Sequence, residues 1–428
     1  MWDLRIEGEA TKWPQFAAVR QALKGPTEAD VGQAVAREVA RMGHRLVPGK
    51  TYAIGVGSRG IHAIAVIVKA LVAALYQHGV EVVIIPAMGS HGGATAEGQR
   101  EVLESFGITE KQMGARINAD MAVDEVGRLA DGTPLFISRA AMATEGLIPL
   151  NRIKPHTDFH GPHESGLVKM LTIGFGKHRG AASIHSRGFG AFKQVLPEAG
   201  EILLSRLSVP FGVAIVENGY ERTAEIHAIS GEHMMEEEKS LLDKARQWMA
   251  RLPFEEIDFL LVGRLGKNIS GSSMDPNVTG RWLSSAASGG LKATRLTVLN
   301  LTEESHGNAI GLGAADTIPQ HLFEAIDWEK TYMNGLTSTE LSGARIPMVL
   351  RNDQQAVEAA IRSINGRGTR ESRVVVIRDT LSLEEFAISE GLADEALKLG
   401  LAITGPWQPI KFGSGGQLDS VAGIRLVN

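Results

Sequence analysis

The sequence predicts an α/β protein of two domains, each with a mostly parallel sheet flanked by helices, and with the active site in the interdomain cleft. Strand-like and helical segments alternate from residue 51 onwards, a pattern typical of β-α-β units and parallel strands. The chain has 428 residues, enough for two or three domains of ordinary size. Glycine-rich turns follow the early strands, at the ends where open α/β sheets bind their ligands.

The first domain is predicted over residues 1–255. On its first helix the polar residues His62, Lys69 and Tyr76 recur every seven positions among apolar ones, so we expect that helix to be largely buried. The predicted elements are strand 52–56, helix 61–78, strand 80–86, helix 94–106, strands 134–138, 146–150 and 210–217, and helix 235–251.

The second domain is predicted over residues 256–406, opening with a buried strand at 257–262 and continuing with helix 319–326, strand 374–378 and helix 393–399. The tail after Pro406 ends in an apolar stretch, 421–427, that has the pattern of a strand. Such a strand could be added to either sheet, so the tail 407–428 could complete the first domain.

Composition excludes several classes of site and partner. The 44 basic and 49 acidic residues give a net charge of −5, which offers no basic surface for nucleic acid. The chain has no cysteine, which rules out disulfides, thiolate metal sites and cysteine nucleophiles. No secretory leader is recognisable in Met1–Arg5, and polar residues interrupt the apolar run 61–85, so we expect a cytoplasmic protein without a membrane span. The sequence is compatible with a homo-oligomer.

Residues 55–60 read Gly-Val-Gly-Ser-Arg-Gly, which matches the G-x-G-x-x-G pattern of dinucleotide sites. The next strand ends in Ile84-Ile85-Pro86 without the acidic residue that binds ribose, which argues against a dinucleotide. We expect a tight turn that leads into a helix N-terminus. Arg59 would lie there and could hold a carboxylate with two parallel hydrogen bonds.

Histidines cluster strongly in one segment. Five of the thirteen fall between residues 156 and 185, where an even distribution predicts about one. Imidazoles titrate near pH 6.5, so such a segment can supply metal ligands, general bases or both. Two interpretations stay open at this point: loop-bracing hydrogen bonds, and a zinc site formed by His156, His160 and His163.

Five separated features resemble one family. They are Arg59 after the first strand, His91 in Gly-Ser-His-Gly-Gly after the second, His156 in Lys-Pro-His, Lys169 ending Ser-Gly-Leu-Val-Lys, and His185 sixteen residues later. In order and approximate spacing they resemble the nickel-pincer lactate racemases and their 2-hydroxyacid racemase and epimerase relatives. The resemblance is good over residues 50–190 and loose elsewhere.

The resemblance implies a cofactor and a role for each residue. The cofactor is the nickel-pincer nucleotide, pyridinium-3-thioamide-5-thiocarboxylic acid mononucleotide, whose sulfurs and a ring carbon hold nickel. Lys169 would be the covalent attachment point and His185 the nickel ligand. His91 and His156 would act as acid and base on opposite faces of the substrate, and Arg59 would bind its carboxylate.

The implied activity is inversion of the C2 centre of a 2-hydroxy acid by hydride transfer to and from the cofactor. Moving the C2 hydrogen as hydride is chemically easier than removing it as a proton, because the carbon beside a carboxylate is a very weak acid. The hydride leaves a planar 2-keto acid that can be reduced on either face. Soft sulfur ligands suit the metal, and here they would come from the cofactor because the chain has no cysteine.

Two segments depart from the lactate racemase pattern. A longer His-rich insert, 159–164, makes His160 a competitor of His156 for the role of second base. In the second domain a polar loop spans 266–281, and we expect its Lys267, Asn268 and Arg281 to face the cleft and bind the far end of the substrate. That arrangement would favour a dicarboxylate or a sugar acid over lactate.

Two functions of other classes remain alternatives at the level of the sequence. One is a His-ligated metal-dependent hydrolase, which would bind zinc and carry no covalent adduct. The other is a non-enzymatic carrier of nickel or of the nucleotide, which would carry the adduct without racemising anything.

Overall fold

The computed structural model describes residues 12–364 and 371–427. The chain divides into two compact units, one of residues 24–249 and one that joins residues 12–23 to the described residues from 250 onwards. Both are built on sheets that contain parallel strands and are flanked by helices, which confirms the predicted α/β class. The N-terminal residues used to judge the absence of a leader lie outside the described ranges.

The strands follow the chain as β1 Gln15–Arg20, β2 Thr51–Val56, β3 Glu81–Pro86, β4 Arg116–Ile117, β5 Val123–Arg128, β6 Pro134–Ser138, β7 Gly146–Arg152, β8 Phe211–Glu217, β9 Thr223–Ser230, β10 Glu256–Leu265, β11 Lys292–Leu301, β12 Thr317–Pro319, β13 Met348–Leu350, β14 Val374–Ile377, β15 Glu385–Ser389, β16 Ala402–Ile403, β17 Gln408–Pro409, β18 Ser420–Val421 and β19 Ile424–Arg425.

The helices are α1 Val31–Met42, α2 Ile64–Gln77, α3 Ala96–Ser105, α4 Glu110–Met113, α5 Arg139–Met142, α6 Leu167–Lys169, α7 Lys177–His185, α8 Phe192–Arg206, α9 Met234–Trp248, α10 Pro276–Thr279, α11 Gln320–Glu324, α12 Trp328–Ser338, α13 Asp353–Arg362 and α14 Ala393–Lys398. A π-helical turn, Met170–Gly174, lies between α6 and α7.

The unit of residues 24–249 is organised around a six-stranded sheet in the order β4-β3-β2-β7-β8-β9. All neighbouring pairs are parallel except β8 and β9. In register, Ile54 of β2 lies between Ile84 of β3 and Ile148 of β7. Because β2, β3 and β7 run in one direction, the segments that follow them emerge at one edge of the sheet.

The sheet of the other unit has the order β13-β12-β11-β10-β14-β15-β1-β16, with β17 also paired to β1. Its strands are parallel from β13 to β14 and antiparallel from there to β16.

Two segments lie in a different unit from the one that the sequence predicts. Strand β1 pairs with β15, so residues 12–23 belong with the second unit, although they fall within the predicted 1–255 domain. The tail also packs in the second unit, where Leu418, Val421 and Leu426 are buried in one apolar cluster with Phe259 and Leu261. The tail therefore does not complete the first domain, and its apolar end forms the β18–β19 hairpin instead of a single strand.

One further local prediction is confirmed and another is corrected. The predicted strand 134–138 exists as β6 but forms a separate antiparallel hairpin with β5, outside the main sheet. The helix predicted from Ile61 begins only at Ile64, because Ala63 adopts a left-handed conformation with φ +56°. Arg59 therefore precedes the helix by a turn of chain and does not lie at its N-terminus.

Helix α2 packs into the core of this unit, as its pattern predicts. Its apolar residues Ile67, Val68, Leu71 and Leu75 are completely buried, while Tyr76 is exposed. None of the helices in the described ranges combines the length and apolar character that a membrane crossing requires.

Two valines of α2 test this packing. Val68→Ala removes two methyl groups from a fully buried site and should lower the free energy of unfolding by about 2 kcal/mol. Val66→Ala, on the same helix at 52% exposure, should change it by less than about 0.5 kcal/mol. Denaturant unfolding of the two variants measures both values, and equal effects would contradict the burial of this face.

Candidate active site

The site lies at the sheet edge where β2, β3 and β7 end. The turn after β2 carries Arg59, the turn after β3 carries His91, and the loop after β7 carries His156. This is the edge at which open α/β sheets bind ligands. The close approach of the chain here requires Gly55, since a Cβ at that position would lie 2.3 Å from Cζ of Phe175.

Arg59 is in contact with both solvent and protein. Its side chain is accessible to water, yet enough protein surrounds it that burial lowers the pKa of Arg59. The charge of Arg152 lowers this pKa further, and Asp158 opposes both effects. The guanidinium remains charged, as arginine does in proteins. Arg59 thus offers a fixed positive charge in a partly desolvated place, which is what binding of a carboxylate requires.

The loop after β7 is held from inside by Glu164, whose side chain is fully buried. Its carboxylate accepts hydrogen bonds from the backbone N–H of His156 at 2.6 Å and of Gly161 at 3.1 Å, and from Arg246 of α9 at 2.6 Å. Burial raises the pKa of Glu164, but hydrogen bonds from His160, His156 and Arg246 outweigh it and the net pKa is lowered. Glu164 is therefore a buried anion that fixes the position of the His156 backbone.

A second buried carboxylate from α9 fixes the start of α6. Glu238 Oε2 accepts from the backbone N–H of Leu167 at 2.5 Å and of Val168 at 2.9 Å, and Oε1 lies 3.0 Å from Nδ1 of His163. Gly166 is required beside it, because a Cβ there would lie 2.6 Å from Glu238 Oε2. Glu238 thereby sets the position of the helical turn that ends in Lys169.

His156 and Lys169 are in direct contact, with 2.5 Å between Nε2 of the imidazole and Nζ of the amine. Burial, followed by the positive charges of Lys169 and Arg59, lowers the pKa of His156 well below its usual value. Burial and the charge of Arg59 also lower the pKa of Lys169 to about 8. Both groups are consequently much easier to keep uncharged than in water.

His185, the last residue of α7, has one ring nitrogen committed and the other available. Nδ1 lies 2.7 Å from the carbonyl oxygen of Ala181, so Nδ1 carries the proton and donates it. The lone pair is then on Nε2, the arrangement typical of metal-binding histidines. Burial lowers the pKa of His185, and the charge of Lys169 lowers it further. A neutral imidazole with Nε2 available is suited to bind a metal ion.

Three phenylalanines form an apolar wall beside these histidines. The Phe159 ring lies 4.4 Å from the His156 ring between centroids, and the Phe192 ring lies 5.3 Å from that of His185. Phe189 contacts both histidines at 6.0 Å. The wall removes water from one side of the site and accounts for much of the desolvation that lowers the histidine pKa values.

His91 is attached to the same edge through the turn after β2. Its Nδ1 shares a short hydrogen bond with Oγ of Ser58, the residue before Arg59. The turn that carries it is held from below by Gln99, whose amide donates to the carbonyl oxygens of Gly89 at 2.9 Å and of His91 at 3.3 Å. Lys177 in turn donates to Gln99 Oε1 at 3.1 Å and to Pro86 O at 2.8 Å.

Two more histidines of the cluster, His160 and His163, contact the glutamates that hold the loop. His163 is completely buried against Glu238, so it is not available to the zinc site considered from the sequence. His160 lies 3.4 Å from Glu164 and is 37% exposed. Within the part of the chain that the structure describes, no group of three His, Asp or Glu side chains could hold a metal ion.

The three residues predicted in the second domain lie in the unit that begins at residue 250, and each is bonded within it. Lys267 Nζ donates to Gly271 O at 2.5 Å, and Asn268 Oδ1 accepts from Thr302 at 2.7 Å. Arg281 forms an ion pair with Asp316 at 2.8 Å. These contacts brace the 266–281 loop, and a role in substrate binding stays a prediction.

Several residues of the site carried no recognisable signal in the sequence. Glu238 and Arg246 belong to a charged amphipathic helix and resemble ordinary surface residues until the fold turns them towards the loop. Glu164 stands in the His-rich segment, where its three hydrogen bonds could not be foreseen. Lys177 lies two residues after Phe175 in a stretch without a motif, although its side chain is fully buried.

Comparison with known proteins finds a family match for the first part of the chain and two solved structures of similar fold. Residues 10–192 match the family model described as the lactate racemase N-terminal domain. The lactate racemase apoprotein from Thermoanaerobacterium thermosaccharolyticum has a similar structure, with a TM-score of 0.53 at 13% identity, covering 86% of this chain and 99% of that one. A structural genomics target from Thermotoga maritima gives a TM-score of 0.51 at 13% identity, covering 81% of this chain and 92% of that one. No curated protein sequence matches.

Neighbouring glutamates of α9 test the support of α6. Glu238→Ala should lower the free energy of unfolding by about 3 kcal/mol or more, because two backbone N–H groups and the His163 ring would be left buried without their partner. Glu237→Ala, at the exposed neighbouring position, should have an effect below about 0.5 kcal/mol. Chemical denaturation compares them, and a small loss in Glu238→Ala would contradict this role.

The lowered pKa of Glu164 predicts a specific loss of stability in acid. A carboxylate whose pKa is lower in the folded state contributes stability that is complete above its unfolded pKa of about 4.3 and disappears as the pH falls through the folded value. The stability difference between the wild type and Glu164→Gln should therefore shrink between about pH 6 and pH 3. Glu236→Gln, on the exposed face of α9, serves as the control. A difference that is constant with pH would contradict the prediction.

Proposed function

We propose that this chain, whose residues 10–192 match the family model of the lactate racemase N-terminal domain, is a racemase or epimerase that inverts the C2 centre of a 2-hydroxy acid with the help of a covalently bound nickel-pincer nucleotide. The observation that carries the proposal is the contact between the Lys169 amine and His156, with His185 presenting Nε2 in the same buried cluster.

The residues present fit the cofactor. Lys169 has a pKa of about 8, so its amine can be acylated near neutrality. His185 is neutral and its Nε2 is available to bind nickel. The chain has no cysteine to supply sulfur, which agrees with sulfur ligands that come from the nucleotide. When bound, the nickel-pincer nucleotide supplies a hydride acceptor.

Arg59 would bind the substrate carboxylate. A guanidinium can form two parallel hydrogen bonds with a carboxylate, which fixes the orientation of the C2 centre relative to the rest of the site. Its partly desolvated position strengthens this attraction. The carboxylate would be held by two hydrogen bonds as well as by charge. Arg59→Lys should therefore bind the substrate more weakly even though the charge is retained.

His91 and His156 would handle the hydroxyl proton. One imidazole would accept the proton of the C2 hydroxyl during oxidation to the planar 2-keto acid, with the bound cofactor as the hydride acceptor. The other would give a proton to the oxygen when the 2-keto acid is reduced again from its opposite face. Both histidines follow strands that end at the same edge of the sheet, which supports this pairing. His156 is preferred to His160, since His160 is committed to Glu164.

The intact mass and the metal content of the loaded protein test the attachment. Protein from a host that makes the cofactor should show a covalent adduct by intact mass, absent in Lys169→Ala and present in Lys193→Ala, a control at an exposed site of α8. Bound nickel should be lost in His185→Ala and retained in His178→Ala, an exposed residue of the same helix. Zinc without an adduct would instead indicate the hydrolase.

Chiral analysis tests the reaction. The loaded protein should interconvert the enantiomers or epimers of a 2-hydroxy acid in a panel that includes monocarboxylates, dicarboxylates and sugar acids. His91→Ala and His156→Ala should each lower the rate by a factor of about 10² to 10⁴. An adduct with no conversion of any substrate would indicate a carrier. Unchanged kinetics in Lys267→Ala and Arg281→Ala would remove both residues from the substrate site.

A further inference from the structure

The contact between His156 and Lys169 has a defined direction of hydrogen bonding. The backbone N–H of Asp158 donates to Nδ1 of His156 at 3.0 Å, so Nδ1 must hold a lone pair. A neutral imidazole carries one proton on its two nitrogens, and here that proton is on Nε2. Nε2 lies 2.5 Å from Nζ of Lys169. The imidazole is therefore the donor and the amine is the acceptor.

An amine can accept a hydrogen bond only when it is uncharged, because an ammonium group has three donors and no lone pair. A protonated Lys169 facing the same tautomer would place two donors against each other. The observed pair of contacts at His156 thus belongs to a neutral, nucleophilic Lys169. Its pKa of about 8, lowered by burial and then by Arg59, agrees with this geometry.

We propose that His156 acts before the racemisation reaction as well as in it: its Nε2–H keeps the Lys169 amine in the uncharged form that becomes acylated, and the acylation in turn reverses the hydrogen bond and converts His156 into a base. The inference rests on the proposed function, because the acyl group is taken to be that of the nucleotide cofactor.

The attachment step is a simple acyl transfer. The neutral amine first releases the hydrogen bond from His156 Nε2–H, which frees its lone pair. Nζ of Lys169 then donates this electron pair to the acyl carbon, and the C–N bond forms. The bond from that carbon to the leaving group breaks, the leaving group departs with the electron pair, and the proton lost from nitrogen leaves with it. Nothing is oxidised or reduced, and no further reactant is needed beyond an activated acyl compound.

Acylation changes what Lys169 can offer to His156. An amide nitrogen has no basic lone pair but keeps one N–H, so it can donate and cannot accept. The hydrogen bond is restored only when the His156 proton moves from Nε2 to Nδ1. In that tautomer Nδ1 no longer accepts from the backbone N–H of Asp158, and Nδ1–H instead turns to the carboxylate of Asp158, whose Oδ2 lies 3.6 Å away. The Nε2 lone pair is the form of imidazole that accepts a proton.

The charged groups around His156 and Lys169 are consistent with the hydrogen bonding proposed before acylation and after it. Arg59 from the turn after β2 and His185 from α7 disfavour a positive charge on the pair, whereas Asp158 and Glu164 from the loop favour one. His160 also acts on His156 in the direction of the neutral form. Acylation removes the ionisable amine, so Lys169 can no longer become charged and thereby lower the pKa of His156.

Competitive labelling of cofactor-free protein with trace acetic anhydride tests whether Lys169 is held in its uncharged form. At pH 7 the Lys169 peptide should be acetylated more than about tenfold faster than the exposed Lys193. Lys177 is an internal control, since its pKa is also about 8 but its side chain is fully buried. It should stay unlabelled. Labelling of Lys169 at the rate of Lys193 would overturn the proposal.

Two substitutions separate the hydrogen bond from burial alone. His156→Phe keeps a ring against Phe159 but removes the N–H donor, so Lys169 labelling should fall at least about threefold at pH 7. His156→Gln keeps an N–H donor and should retain most of the rate. Equal rates in both variants and the wild type would show that burial alone sets the reactivity of Lys169 and would contradict the role of His156.

Nitrogen-15 NMR of labelled histidine tests whether the tautomer of His156 changes when Lys169 is acylated. In the unmodified protein the unprotonated ring nitrogen of His156 should be Nδ1, and after acetylation of Lys169 it should be Nε2, with the signal assigned by its loss in His156→Gln. The same tautomer before and after acetylation would overturn the switch. Neither experiment uses nickel or the nucleotide, so a positive result with no adduct in the loaded protein would locate the failure in the proposed function.

Discussion

The site depends on keeping a lysine amine in a buried position beside an imidazole, at the edge where three parallel strands end. Burial disfavours both charged forms, and Arg59 adds a fixed positive charge that disfavours them further. A flexible loop would relieve this by turning either group towards water. The chain prevents that by anchoring the two halves of the contact separately to α9, through Glu164 and Arg246 on one side and Glu238 on the other.

Under the proposed function few residues take part in the chemistry, and a larger set of residues holds them in position. His156 and His185 pack against phenylalanine rings, and backbone groups fix one ring nitrogen of each. The charged anchors lie behind the loop, where their carboxylates meet backbone N–H groups. The proposed cofactor would carry its own sulfur donors and its own hydride acceptor. The protein would then need to supply only an amine, an imidazole ligand, an arginine for the carboxylate and two bases.

Much of the first unit could be predicted from the sequence because its strands are short apolar runs that end at glycine-rich turns, and parallel strands bring their following turns to one edge. That rule alone placed Arg59, His91 and His156 at a common edge, whereas the roles of Lys169 and His185 rested on resemblance. Strand β1 could not be predicted, because its partner β15 lies more than 360 residues later. The role of Glu238 could not be predicted either, since it depends on which face of the charged helix α9 packs against the start of α6.

The proposed function requires nickel to bind to this cysteine-free chain through one imidazole, that of His185, and through sulfur atoms carried by a cofactor on Lys169. Nickel X-ray absorption spectroscopy of the loaded protein measures the donor atoms directly. We expect a first coordination shell that contains sulfur together with one imidazole, and loss of the bound metal in Lys169→Ala as well as in His185→Ala. A shell of nitrogen and oxygen alone, or nickel that persists with the same shell in Lys169→Ala, would contradict it.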